Sequence, residues 1–105
     1  MPYPPWSGEE YKGGNVHILK TWPGYFQLVF SGVKKFELRK NDRDFKVGDL
    51  LILMEFYPDA QSYSGREVRV VVTGVFRLSD FNDVVGISVR ENVVLLSIKF
   101  FGEQS

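Results

Sequence analysis

The stretch KKFELRKNDRDFKVGD, residues 34–49, decides how the rest of the chain is read. It divides into a strand, a charged turn and the entry to a second strand. In the strand, 34–40, alternation puts Phe36 and Leu38 on one face and Lys35, Glu37 and Arg39 on the other. The expectation is a central strand with Phe36 and Leu38 as core anchors. The polar row is then either a solvated face or the wall of a cleft. Residues 41–44, NDRD, form a turn by composition, because Asn and Asp side chains can bond their own backbone there. Gly48-Asp49 makes a second tight corner, expected to serve folding alone. Residues 34–46 hold six of the chain's 13 Lys and Arg and three of its 13 Asp and Glu, a local excess of three positive charges in a chain of zero net charge.

Working outward, VHILKT (16–21) is a short strand, with Val16, Ile18 and Lys20 on one face and His17, Leu19 and Thr21 on the other. A helix over about residues 22–31 follows, entered through Thr21-Trp22-Pro23, with Pro in the first turn where its missing N–H costs nothing. Trp22, Phe26, Val29 and Phe30 recur at helical spacing as its expected buried stripe, and Gly32 is its left-handed C-terminal cap. The helix is only about two and a half turns long, so packing must hold it.

Beyond the opening stretch, the apolar run 50–57 reads as a strand buried on both faces. Residues 58–65 read as a polar hairpin loop. A long strand over 66–76 points Val68, Val70 and Val72 inward, and Gly74 inside it marks a bulge. Residues 77–91 are the least legible, with 78–81 as a helical turn and 84–87 as a short strand. A last strand over 92–101 shows Val94, Leu96, Ile98 and Phe100 on one face. The domain is expected over 15–101, with 1–14 a flexible arm rich in Pro and Gly and 102–105 a frayed tail. Within the arm, Tyr3, Trp6 and Tyr11 can either dock or remain loose. The class is α+β, mostly β: a partly closed barrel of about five to six mixed strands with one main helix plugging an end.

Composition excludes several functions. There is no cysteine and one histidine, His17, so neither a thiolate nor a multi-His metal site can form, and no metal or other cofactor is expected. No G-x-S-x-G elbow is present. No apolar run reaches the length of a membrane span and the N-terminus does not have the pattern of a secretory signal, so the expectation is a cytoplasmic, monomeric domain with no membrane partner. Zero net charge argues against a binder that coats a nucleic-acid backbone regardless of sequence, but leaves room for a local basic pocket. Aromatic residues make up 15% of the chain. Most such rings fill a small core, while one or two can serve as stacking surfaces for a base.

Three segments together carry a family resemblance: His17-x-Leu19-Lys20-x-Trp22-Pro23-x-Tyr25-Phe26, then Gly32 through Asp49, then Gly65-Arg66-x-Val68. Over about residues 16–101 the chain resembles the DUF3850 family, placed among the ASCH domains of the PUA-like superfamily. The resemblance implies a PUA-like pseudobarrel with a cleft beside the helix and the 34–40 strand. It also implies a role around RNA, nucleotides or modified bases, in a family with many phage or prophage members. Some related ASCH proteins hydrolyse N4-acetylcytidine through a G-x-K-x-x-T-x-R segment and a distant Glu. Gly32, Lys34 and Arg39 match that segment, but Glu37 stands where the Thr would be and residues 78–91 supply no aligned Glu. Asn92-Val93 replaces a usual Gly-Tyr.

The candidate ligand-binding residues are Arg39, Lys34, Glu37, His17, Lys20, Trp22, Asn41 and Arg43. The planar guanidinium of Arg39 suits a phosphate or base edge, with an ion pair to Glu37 or Asp42 as the structural alternative. Lys34 and Glu37 are also the catalytic candidates: Lys34 to neutralise a phosphate or act as a base, Glu37 to accept from a base amino group or to orient Arg39. His17 and Lys20 fall on opposite strand faces, so at most one lines a given cleft. A lone His is more often structural, Trp22 can be a core ring, and Asn41 and Arg43 have turn chemistry as their plain explanation. Three functions compete. The first is a module binding RNA or a nucleotide-like small molecule. The second is a phage-type protein engaging a host protein through residues 2–11. The third is a metal-free amidohydrolase on N4-acylated cytidine.

Overall fold

A computed structural model describes residues 11–85 and 92–102. Its elements are β1 (Val16–Thr21), α1 (Pro23–Phe30), β2 (Phe36–Lys40), β3 (Leu50–Tyr57), β4 (Ser62–Arg77), a 3-10 turn (Leu78–Phe81), α2 (Asn82–Val85) and β5 (Val93–Phe100). The strands form one sheet in the order β1-β3-β4-β5-β2. Only β1 and β3 are parallel; β3–β4, β4–β5 and β5–β2 are antiparallel. β1 and β2 are thus the two edges, yet Arg39 of β2 donates to the Lys20 carbonyl of β1 at 2.9 Å. That contact requires the sheet to curl into a half-barrel, with the two edges facing each other across a seam.

The expected mostly-β, mixed-strand barrel is the architecture found, with five strands among the described residues. β3 is its axis: seven of its eight residues are buried. Leu51 and Leu53 point into the main core with Val68, Val70 and Val72 of β4 and Val94, Leu96 and Ile98 of β5. Leu50, Ile52 and Met54 point the other way and meet Val16, Ile18 and Tyr11. Tyr11 also donates to the Gly48 carbonyl, and its ring lies edge-on to Phe101. Of the two fates open to Tyr11, docking is therefore the one found, while residues 1–10 lie outside the described residues. Gly48 is required at that corner for a separate reason: its φ is +95°, and an added Cβ would stand 2.8 Å from the Gly13 carbonyl oxygen.

α1 packs Phe26 and Val29 into the main core. Pro23 opens it behind Trp22, the N-terminal cap residue. Its exit is a Schellman turn in which Gly32 N donates to Val29 O and Val33 N to Leu28 O, with Gly32 at φ +83°. The expected stripe is half right. Trp22 is 58% and Phe30 46% exposed, because the short helix turns only Phe26 and Val29 inward. Phe30 stacks on Phe26 at 5.7 Å, and the Arg66 guanidinium covers both rings.

Other boundaries shift for local reasons. β4 begins at Ser62 instead of after Gly65, because the turn is confined to the residues before it and Gly65 takes φ +97° inside the strand. A register shift between Met54 and Phe56 absorbs the irregularity. The expected bulge at Gly74 is present as a shift between Val72 and Gly74. Val84 and Val85 belong to α2 and not to a strand. The remainder of that expected strand, 86–87, lies outside the described residues.

The largest correction concerns β2. It is an edge strand, not a central one, and its faces are inverted. Phe36 is 42% and Leu38 51% exposed, while Glu37 is 3% exposed. The polar row turns inward because Glu37 finds two cations there, and a buried charge is tolerated when paired and hydrogen-bonded.

Candidate functional site

The seam between β1 and β2 is a cleft, and the chain's opening elements build it. β1 supplies Lys20 and Thr21, the α1 entry Trp22 and Tyr25, and the segment after the Schellman turn Lys34. β2 supplies Phe36, Glu37, Leu38, Arg39 and Lys40. The cavity they line measures about 490 Å³.

Glu37 organises it. Lys34 Nζ donates to Glu37 Oε1 at 2.9 Å and Arg39 Nε to Oε2 at 3.2 Å. Arg39 Nη2 donates to Lys20 O at 2.9 Å and to the Thr21 hydroxyl at 3.3 Å. The guanidinium is thus held from two sides, by a carboxylate of its own strand and by the opposite edge. Lys34 is placed by backbone as well, since its N–H joins Val33 in donating to Leu28 O. Its ammonium lies 5.2 Å from the Tyr25 ring centre and 5.1 Å from that of Phe36, a position where ring quadrupoles attract a cation. Lys20 Nζ lies 4.4 Å over the Phe56 ring.

A second cavity of about 550 Å³ continues along the seam, lined by Ile18, Leu19, Lys20, Arg39, Lys40, Asp42, Arg43, Phe45 and Tyr63. Arg43 Nη1 reaches Ile18 O at 3.5 Å. Across both cavities, Lys20, Lys34, Arg39, Lys40 and Arg43 face two carboxylates, Glu37 and Asp42. This gathers a positive field in a chain of zero net charge.

The sequence candidates separate cleanly. Arg39, Lys34, Glu37, Lys20 and Trp22 meet in the first cavity and Arg43 lines the second. His17 lines neither: its Nε2 donates to Asp49 Oδ2 at 2.8 Å and its ring packs edge-on against Phe45 at 4.8 Å. Asp49 also accepts from Asn15 N and Lys46 N, so the Gly48-Asp49 corner ties three segments together. Asn41 is turn chemistry, its Oδ1 capping Phe45 N at 3.0 Å. Sequence reasoning missed Lys40, which lines both cavities, Thr21, Tyr25, Phe36 and Leu38 in the first, and Ile18, Leu19, Phe45 and Tyr63 in the second. Tyr25 and Trp22 are adjacent on the helix entry, which could have flagged Tyr25; nothing local marks Tyr63.

Among the described residues no three His, Asp or Glu side chains gather to hold a metal ion, and no helix is long and apolar enough to cross a membrane. Two cations held by a buried carboxylate can take an anion in fixed register, and the exposed rings lining the same cavity can stack on a planar group.

Comparison with known proteins gives two findings. Residues 16–98 match a family described as "Domain of unknown function (DUF3850)". A protein of Escherichia phage P2, described as "Uncharacterized 12.9 kDa protein in GpA 3'region", is 41% identical over 66 residues, which is 63% of this chain and 59% of that relative. The match thus spans less than two thirds of the phage protein's length.

Proposed function

Because the chain belongs to the DUF3850 family, for which no function is assigned, we propose a function from its own cleft: it binds RNA or a nucleotide-like ligand between β1 and β2. One observation carries this reading. Three exposed rings, Trp22, Tyr25 and Phe36, line the same cavity as Lys20, Lys34, Arg39 and Lys40. Stacking rings beside fixed cations are what single-stranded bases and their phosphates require. The cavity also falls in the range of roughly 300–1,000 Å³ typical of small-ligand sites. A half-barrel with one helix beside its cleft agrees with the PUA-like, ASCH type that the sequence resembles, and we adopt that placement as part of the proposal. The protein would act as a monomer in the cytoplasm.

Glu37 orients the cations in this reading instead of contacting a base, because both its oxygens are engaged. The same engagement weighs against Lys34 and Glu37 as a proton-transfer pair on an acylated cytidine. The reading of a phage protein engaging a host factor rests on residues 2–11, most of which lie outside the described residues.

The test is a titration with nucleosides, nucleotides and short RNAs, read on the backbone amides of residues 17–49. Shifts should cluster at 20–25 and 34–40, and Arg39→Ala should weaken binding by about tenfold while leaving the fold intact. If no such compound moves an amide in the cleft, the reading fails.

A further inference from the structure

We propose that the ligand is a dinucleotide step of single-stranded nucleic acid, with its linking phosphodiester on Lys20, Arg39 and Lys40 and one base in each flanking cavity. This rests on the nucleotide reading and adds the length and placement of the ligand.

The two cavities share three lining residues, and all three are cationic: Lys20, Arg39 and Lys40. Their outer parts differ. The first cavity carries the exposed rings Trp22, Tyr25 and Phe36, and the second carries one exposed ring, Tyr63, over a floor that includes the buried Phe45. The order along the seam is therefore rings, cations, ring. A single phosphate flanked by two bases has the same order. At about 490 and about 550 Å³ each cavity is by itself of small-ligand size, so a mononucleotide filling one would leave the other's ring without a base.

Within the central site, Arg39 is set in advance. Arg39 is tied to Glu37, to Lys20 O and to the Thr21 hydroxyl, so its guanidinium is positioned before any phosphate arrives. Tyr63 is likewise set by packing. It pairs with Phe56 across the β3–β4 hairpin, and the two rings meet edge-on at 5.0 Å while Tyr63 stays 43% exposed. A ring held this way offers a face at little entropic cost.

The experiment compares adenosine 5′-monophosphate, adenylyl-3′,5′-adenosine and the corresponding trinucleotide on the full chain, by calorimetry and amide shifts. The variants are Trp22→Ala, Tyr63→Ala and Tyr63→Leu, the last of which keeps apolar packing on Phe56 and removes the ring. The dinucleotide should bind about tenfold or more tighter than the mononucleotide, and the third nucleotide should add less than about threefold. Both Tyr63 variants should weaken the dinucleotide by about tenfold and leave the mononucleotide within about twofold. Equal affinities for mono- and dinucleotide, or an unchanged dinucleotide affinity in Tyr63→Leu, overturn the two-base placement. If Trp22→Ala still weakens the mononucleotide in that event, the nucleotide reading survives. If neither compound shifts an amide in residues 17–49, both fall together.

Discussion

Glu37 is the residue on which the cleft turns. It is 3% exposed and accepts from both Lys34 and Arg39, whose side chains remain partly in solvent. Its removal leaves two cations close together without their shared partner. Hydrogen bonds to charged groups contribute roughly 1.5–3 kcal/mol, and the partial exposure of the cations lowers that figure, so Glu37→Gln should cost about 1–2 kcal/mol in urea unfolding. The substitution also raises the cleft's positive charge by one. If charge alone governed binding, the variant would bind a nucleotide more tightly. A positioning role for Glu37 predicts the opposite sign: Arg39 loses its carboxylate anchor and affinity falls several-fold. A gain in affinity would refute the positioning role. Glu37 also explains why β2 misleads a reader of sequence. Alternation correctly separates Phe36 and Leu38 from Glu37 and Arg39, but period two says only which residues share a face. Which face is inside depends on whether the polar row can satisfy itself. Lys34, which lies outside the strand, and the Lys20 carbonyl of β1 make that possible, and neither is visible in the strand's own pattern.

At the scale of elements, α1 is too short to persist without tertiary contacts. It is eight residues long, and two of them are buried. Its clamp is Arg66 of β4, which lies over the Phe26 and Phe30 rings at 5.0 and 5.2 Å and donates to Gln27 Oε1 at 3.2 Å. The same guanidinium donates to both oxygens of Glu55, at 3.0 and 3.2 Å, and Glu55 is 3% exposed on β3. The Arg66 hydrogen bonds hold the Glu55 carboxyl below its ordinary value of 4.5, outweighing the burial that pushes it up. The unfolded chain therefore binds this proton more readily than the folded one. Stability from Glu55 is fully present above about pH 4.5 and is lost as pH falls through the lower folded value. Thermal unfolding followed across that acid range should show a falling midpoint, and Glu55→Gln should flatten the fall while lowering the midpoint near neutrality. An unchanged acid slope in Glu55→Gln would remove Glu55 as its source. The elements themselves were largely readable. β1, β3 and β5 announce themselves by β-branched and Leu-rich runs between turn residues, and Gly32 and Gly74 mark a cap and a bulge. The start of β4 was hidden because Ser62–Gly65 has turn composition but is pinned as strand by its pairing with Phe56 and Tyr57.

The whole molecule has zero net charge, and its cleft gathers five cations against two carboxylates. A partly closed barrel is legible in the strand pattern, but the identity of its seam is not, because the cleft depends on β1 and β2 meeting after a topology that places them at opposite edges. The consequence is a distinction between two kinds of nucleic-acid binding. A surface coated with Lys and Arg releases more counterions as the ligand lengthens, so its salt dependence steepens with every added phosphate. A neutral chain with one confined basic site does not. For single strands the slope of log K against log salt is about −0.7 per neutralised phosphate. With one phosphodiester held at Lys20, Arg39 and Lys40, the dinucleotide should show a slope near that single-phosphate value. A ten-nucleotide strand should steepen it by no more than about one further phosphate. Affinities measured across a salt series for both ligands decide the point. A slope that grows in proportion to strand length would mean that phosphates are neutralised well beyond the seam, and that the confined cleft is not where the chain's affinity resides.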